Sequence, residues 1–421
     1  MNCLPNISKT LKNNICTGCG ICSGACPNGA ISFVVKEGGF RPQINESLCK
    51  NSKGCHRCFD ACPGVGIDLI NTAKECFDQQ KVKTDKILGQ YIQCFVGHST
   101  DHDMRYHSAS GGTLSQFLIY LLEKGEIDGA VVTKFCKDSP LKVKSFIATT
   151  REDVIAARSS KYAPTSLYEV VPEIKKFNGS RLVVVGVPCQ IEGMRKLMSV
   201  DKKIREKVCG LFSVYCSGSR SFYFTEYIMK ERKIDLDKID YLAYRDNGCL
   251  GGLVAKGCNI DYYEDYQSYC HPLRTIFHPH RCVLCADHFG ELADISFGDI
   301  HVKPYLEDKI GVNSIVARSA YWNSLLLNAK DSGTIALDKL DADVLLSSQK
   351  MSKVKKNRNM AFCKIEKCLG KIVPDYGTDY DSRVNLKRVV DYFQIGIQRF
   401  VGNHKKLWFV IPLLKAKVRI H

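Results

Sequence analysis

At 421 residues the chain has room for roughly two to four domains, each able to bury its own core. Its 22 cysteines, with no charged-then-apolar leader ahead of them, argue against a secreted disulfide scaffold and for a reducing cytoplasm, and no apolar run approaches the roughly 18 to 20 residues that cross a bilayer. The net charge of +16 is gathered at one end: from Lys350 onward 17 Lys and Arg face 5 Asp and Glu, the rest is near neutral, and without zinc-finger histidine pairs, RNA-binding aromatics or helix-turn-helix spacing no specific nucleic-acid partner is expected.

Two cysteine runs open the chain: Cys16, Cys19, Cys22 and Cys26 before Pro27, then Cys49, Cys55, Cys58 and Cys62 before Pro63. The spacing C-x2-C-x2-C-x3-C-P wraps three thiolates around one iron-sulfur cube and turns the fourth toward another. Two such runs predict a small α+β bacterial-type ferredoxin domain over residues 1–75. In the crossed pattern Cys16, Cys19, Cys22 and Cys62 hold one 4Fe-4S cluster, and Cys26, Cys49, Cys55 and Cys58 the other. Five residues, KNSKG, separate Cys49 from Cys55 where two are usual, so Cys49 departs from the pattern. Structural zinc is the competing reading, but it favours separate CxxC pairs. GAISFVV and GIDLI read as the strands that follow each run, and a polar, Lys-rich stretch as a linker over 76–90.

The body that follows alternates helical and strand patterns, which predicts an α/β architecture on a mixed sheet. SASGG (Ser108 to Gly112) leads into TLSQFLIYLLEKG, a helix ending at Gly125, and then the strand GAVVTKF. RLVVVG is a strand, Gly186 to Pro188 a tight turn, and a helix opens near Gln190. KVCGLFSVY is a strand before Cys216, with a helix after SGSRS. The Ser108 and Ser110 hydroxyls, with Gly111 and Gly112, offer an anionic group close approach to backbone N–H, although such loops are also plain turns. Ser160, Lys161 and Tyr162, with Ser159, form a second candidate contact against the alternative of a surface lysine, and Arg245 and Asp246, in YRDNG, are read either as facing the site or, more plainly, as a solvated ion pair. His278, His280, His288 and His301 crowd the later cysteines as candidate proton donors.

Four cysteines of this body stand where a chain exposes ligands. Cys189 and Cys216 lie at strand-to-helix turns, and Cys282 with Cys285 forms a CxxC. Turns after strands gather at the carboxyl edge of a sheet, so three segments can meet at one site; a zinc half-site, a redox dithiol or core packing are the other readings of the same residues.

Over the last stretch, residues 346–421, a basic helical tail is predicted. Leu386, Val389, Val390, Phe393, Ile397, Phe400 and Val401 recur at helical spacing among Lys387, Arg388 and Arg399. Two readings stand side by side: a terminal helix docked by its apolar side with a solvated basic face, or a helix on anionic lipid aided by LWFVIPLL.

The succession SASGG, SSKYAPTS, GVPCQIEGMR, CSGSRS and RCVLCAD with ADISFGD resembles the coenzyme F420 hydrogenase/dehydrogenase beta-subunit family, over most of the chain to about Asp308. The resemblance implies the family's amino-terminal region over 91–175 and its carboxyl-terminal region over 176–345, FAD bound at Ser108, Ser110, Gly111, Gly112, Ser160, Lys161 and Tyr162, and a third 4Fe-4S cluster on Cys189, Cys216, Cys282 and Cys285. Ser217 stands where many relatives carry histidine, and Ile300 and His301 where an aromatic is common. The expected function is an iron-sulfur flavoprotein oxidoreductase passing electrons between the ferredoxin clusters and FAD, with hydride or two-electron exchange to coenzyme F420 or another organic substrate. Bacterial relatives associate with surface-polysaccharide metabolism. An electron-transfer subunit without a substrate of its own is the alternative. The expected partners are a redox protein or low-potential carrier, and the expected location is the cytoplasm, with peripheral contact at the inner membrane face through the basic tail.

Overall fold

The computed structural model describes residues 5–136, 139–273, 275–380 and 382–415. The strands in chain order are β1 (Ile31–Lys36), β2 (Gly39–Ile44), β3 (Lys83–Asp85), β4 (Gly89–Tyr91), β5 (Gln93–Ser99), β6 (Gly129–Cys136), β7 (Ser139–Ala148), β8 (Leu182–Gly186), β9 (Val208–Val214), β10 (Ile239–Asp246), β11 (Gly252–Gly257), β12 (Ile260–Asp265), β13 (Ile295–Asp299), β14 (Asn313–Ala317) and β15 (Ile335–Leu340). Eight of them make one mixed sheet in the order β15, β5, β14, β13, β9, β8, β6, β7. Its centre, β13 to β6, is parallel, and the outer pairings are antiparallel. The fold is therefore an α/β body with a mixed sheet, preceded by a small ferredoxin-like unit.

The central strands are continuous apolar runs because both faces of the sheet are covered. Val131, Leu182, Val184 and Leu211 face one core, while Ala130, Val132, Val183 and Phe212 face the other. The cysteine-rich unit packs directly into the first core, through Ile15, Ile21, Ala25 and Ala61 against Ile191, Met194 and Leu197. Backbone bonds seal the contact: the Leu167 N–H donates to the Cys19 carbonyl at 2.8 Å, and the Ser23 hydroxyl to the Tyr168 carbonyl at 3.0 Å.

Three local expectations resolve differently. GIDLI is not a strand: Asp68 accepts the Asn71 N–H at 2.9 Å and starts the helix Leu69–Cys76, because an N-cap aspartate outweighs a short apolar run. The partner of β1 is β2 instead. The stretch expected as a linker carries the β3–β4 hairpin and buries Phe77 and Leu88. In the tail, Met360, Ala361 and Phe362 are buried, so this part of the basic region belongs to the core.

Candidate functional site

The two amino-terminal runs come together in the crossed arrangement. Cys16, Cys19, Cys22 and Cys62 lie within electrostatic reach of one another. Cys58 is likewise near Cys26, Cys55 and Cys49, and these four line one cleft. The extra residues before Cys55 fold into a 3-10 turn over Asn51–Lys53 that ends at Gly54 in the left-handed region. The insertion therefore loops outward and leaves Cys49 with its group. Backbone N–H groups aim at the sulfurs: Gly18 at Cys16 (3.4 Å), Ala30 at Cys26 (3.3 Å) and Gly64 at Cys62 (3.3 Å).

None of the described cysteines is in a disulfide. Burial and neighbouring thiols push Cys19 up to about 12, and burial pushes Cys62 and Cys58 up to about 11. Thiolates persist in such surroundings only when a bound cation offsets their charge, which is what iron supplies. Among the described residues no three His, Cys, Asp or Glu side chains close on a single metal ion. A cube with one iron per thiolate asks for wider spacing than a lone tetrahedral ion, so the donor set fits the cluster better than zinc.

The four body cysteines also meet. The parallel strands β8, β9 and β13 end at one carboxyl edge. Pro188 opens the helix Pro188–Val200 with Cys189 in its first turn, Cys216 follows β9, and a 3-10 turn over His280–Leu284 brings Cys282 and Cys285. Cys189 senses Cys216 and Cys282, and Cys216 senses Cys282 and Cys285. The Ser219 N–H donates to Cys282 Sγ at 3.4 Å.

Several residues around this group escaped the sequence reading. Lys355 is buried and places Nζ 3.4 Å from Cys285 Sγ and 2.6 Å from the Asp287 carbonyl. It opens a π-helical turn, Lys355–Asn359, whose Asn359 amide donates to the Cys285 carbonyl at 3.0 Å; such turns often serve sites. Arg281 is buried and donates to the Pro63 and Gly64 carbonyls, both at 3.0 Å, so the residue beside Cys282 grips the residues beside Cys62. Glu192, three residues after Cys189, is buried with neither carboxylate oxygen hydrogen-bonded among the described residues, and burial pushes it up to about 8.

The loop residues form a second, adjacent constellation. Ser110 bonds Asp299, at the end of β13. Arg245, far from being solvated, is 2% exposed and binds Asp299 at 2.7 Å and the Ala109 carbonyl at 2.6 Å. Burial lifts the Asp299 carboxyl, but Arg245 and His301 outweigh it and hold the group below the usual carboxylate range. The Arg245 guanidinium stacks over Tyr266 at 4.8 Å, and Tyr162 lies 5.7 Å from the same ring. Ser159 and Ser160 precede Tyr162 here, the Ser159 hydroxyl bonding the Arg245 carbonyl. Lys161 directs its ammonium to the Ala157, Arg158 and Ser159 carbonyls, and burial draws it down to about 7. Gly111, at φ +103°, leaves only 2.7 Å between an added Cβ and the Gly311 carbonyl, so protein backbone fixes this glycine. The Thr113 N–H is taken by Asn313 at 3.1 Å, and Ser108 packs on Met104.

Asp246 binds His107 at 2.7 Å. Of the four histidines, His280 pairs with Glu366 and Arg399, His288 with Gln349, and His301 lies 3.6 Å from Asp299. His278 is buried, and among the described residues its Nε2 has no hydrogen-bond partner, nor do Arg220 Nε and Ser221 Oγ on the chain after Cys216.

Three family models match. Residues 94–172 match the N-terminal model of the coenzyme F420 hydrogenase/dehydrogenase beta subunit, residues 179–343 the model of its C terminus, and residues 15–67 a 4Fe-4S dicluster domain. The chain belongs to the coenzyme F420 hydrogenase/dehydrogenase beta-subunit family. Within the family it is 25% identical, over 64% of its length and 95% of the relative's, to the coenzyme F420 hydrogenase subunit beta of Methanothermobacter thermautotrophicus. It is also 25% identical, over 69% of its length, to the coenzyme F420-dependent sulfite reductase of Methanocaldococcus jannaschii, and it spans 43% of that longer protein. A chain of the F420-reducing [NiFe] hydrogenase complex of Methanosarcina barkeri shares the fold, with a TM-score of 0.55 at 22% identity, over 68% of this chain and 96% of the other.

Proposed function

We propose that the protein is an oxidoreductase holding three 4Fe-4S clusters and FAD. The clusters would sit on Cys16, Cys19, Cys22 and Cys62, on Cys26, Cys49, Cys55 and Cys58, and on Cys189, Cys216, Cys282 and Cys285. The flavin would lie where the loop Ser108 to Gly112 and the segment Ser160 to Tyr162 meet Arg245. The observation that carries this reading is the succession of thiol groups. Cys22 is within electrostatic reach of Cys58, and Cys189 of Cys19, so the three sets adjoin in order. When bound, such clusters carry single electrons and a flavin pairs them for two-electron or hydride exchange. Backbone N–H groups at Gly18, Ala30, Gly64 and Ser219 stabilise thiolates, Lys355 supplies positive charge beside Cys285, and Arg281 fixes the two units at contact distance. Arg245, backed by Tyr162 and Tyr266, offers a cationic and aromatic surface to an anionic ring, and the unpartnered atoms of Arg220, Ser221 and His278 are donors and acceptors left for a bound group.

The substrate is coenzyme F420 or another organic acceptor, which includes a sugar- or isoprenoid-linked compound of surface-polysaccharide metabolism. The electron donor is a redox protein or low-potential carrier. The free thiols suit the cytoplasm, and the basic end would rest on the anionic inner face of the membrane. Among the described residues no helix is long and apolar enough to cross one. A second reading, an electron-transfer subunit with no substrate of its own, is favoured by the relatives named as hydrogenase subunits. Anaerobic purification with metal and flavin analysis tests both. Three cubes require about 12 iron atoms per chain together with FAD; iron without flavin supports the subunit reading, and zinc in place of iron overturns both.

A further inference from the structure

The helix Leu386–Asn403 is apolar on two sides. The docked side buries Ile395 and Val401 in the cores of the body, with Tyr392 packed beside Ile395, and polar contacts flank them. Arg399 Nε donates to the His278 carbonyl at 3.0 Å, Tyr392 to Glu366 at 2.8 Å, Gln398 binds Thr275, and a Cβ at Gly402 would collide with the Ile276 carbonyl. The opposite side carries Leu386, Val390, Phe393, Ile397 and Phe400, spaced by four and three residues, each between 55% and 80% exposed. Phe409 and Leu413 extend the surface at 77% and 86% exposed. A folded chain turns such a stripe inward unless something outside covers it.

We propose that this stripe is a docking face for an anionic bilayer, with Leu386, Val390, Phe393, Ile397, Phe400, Phe409 and Leu413 entering the acyl region. The inference rests on the peripheral location proposed above and assigns the residues that produce it. Charge selects the occupant. From Ser382 to His421 nine Lys and Arg accompany one acidic residue, and Lys387 and Lys406 are exposed near the two ends of the stripe, where a long side chain can reach headgroups while its stem stays apolar. A second copy of a +16 chain is repelled rather than recruited. The stripe also lacks the Tyr, Trp and Arg that dominate binding hot spots between proteins. Beside Phe393, Ile397 and Phe400 a cleft of about 260 Å³ runs in toward Val283 and His280, which adds apolar surface for a chain end.

Co-sedimentation of the intact protein with phosphatidylcholine vesicles, plain or with about one third phosphatidylglycerol, tests the assignment. The triple variant Phe393→Gln, Ile397→Gln and Phe400→Gln keeps helix-forming side chains and leaves the docked face alone, and its iron content and oligomeric state are measured alongside. Wild-type protein is expected to bind the anionic vesicles, to release as salt rises, and to bind at least about tenfold more than the triple variant. Binding that survives the triple change but falls in Lys387→Gln with Lys406→Gln keeps the peripheral location and overturns the stripe. No binding by wild type overturns both. Self-association of wild type that the triple variant abolishes also overturns the proposal, in favour of a second copy.

Discussion

Lys355 is the residue that most changes the chemistry expected of the body cysteines. A buried ammonium 3.4 Å from Cys285 Sγ favours whichever oxidation state of a bound cluster is more negative, so it raises the reduction potential. Lys355→Met should lower the potential of one cluster of three by about 60 mV or more, a tenfold change in a one-electron equilibrium, and leave the other two unmoved. Redox titration followed by electron paramagnetic resonance reads each cluster; an unshifted set places the lysine outside the field of the site. The grouping of the amino-terminal cysteines was legible in the sequence because ferredoxin-type cysteines are neighbours in the chain, and the spacing that wraps a cube is written in Cys16 to Cys26. Lys355 was not, since 70 residues separate it from Cys285 and a lysine in a basic tail carries no mark of burial. Arg245 was read as solvated for the same reason: its partner Asp299 lies 54 residues on.

At the scale of elements, three strands of the sheet, β6, β8 and β9, and the turns after β8 and β9 followed from apolar runs in the sequence, and they delivered Cys189 and Cys216 to one edge. What pattern does not encode is which face an element presents. The Leu386–Asn403 helix has helical spacing in either orientation, and its docked face combines Ile395 and Val401, buried in the cores, with polar contacts to Glu366, His278 and Thr275 on other elements. The seat of the cysteine-rich unit is likewise a tertiary matter. Asp201, capping Lys202–Lys207 through the Ile204 N–H at 3.2 Å, also binds Lys175 at 2.7 Å. Lys175 reaches the Gly24 carbonyl at 2.7 Å, and Arg57 lies 3.8 Å from Asp201. Burial would raise the Asp201 carboxyl, but Lys175, the Ile204 N–H and Arg57 outweigh it and hold the group below its ordinary value. With the folded value below the unfolded one, the stabilisation is complete above the unfolded value of about 4 and fades as pH falls through the folded one. Asp201→Asn should cost roughly 0.5 to 1 kcal/mol at every pH from 8 to about 5 by denaturant midpoint. A deficit that already closes between pH 7 and about 5 would assign the effect to another group.

The whole molecule is arranged as a series. The outer thiol group around Cys58 adjoins the one around Cys22, which adjoins Cys189, and Arg281 ties the second junction through the Pro63 and Gly64 carbonyls. The parallel strands β9 and β13 end side by side, which sets Cys216, just after β9, beside Asp299 at the end of β13 and its partner Arg245. With clusters held on the three thiol groups, the one on Cys189, Cys216, Cys282 and Cys285 would stand between the ferredoxin end and the Arg245 constellation. The double variant Cys282→Ser, Cys285→Ser should lose about four of about 12 iron atoms and keep the signals of the two ferredoxin clusters. Stopped-flow reduction by a low-potential donor should then show those two clusters reduced at the wild-type rate, with flavin reduction slowed by on the order of a hundredfold or more, since one relay is missing from the chain of clusters. Unchanged iron would remove the third cluster from the series. Lost iron with undiminished flavin reduction would mean that electrons reach the flavin by another face of the protein, and the shared core between the cysteine-rich unit and the sheet would then serve stability alone.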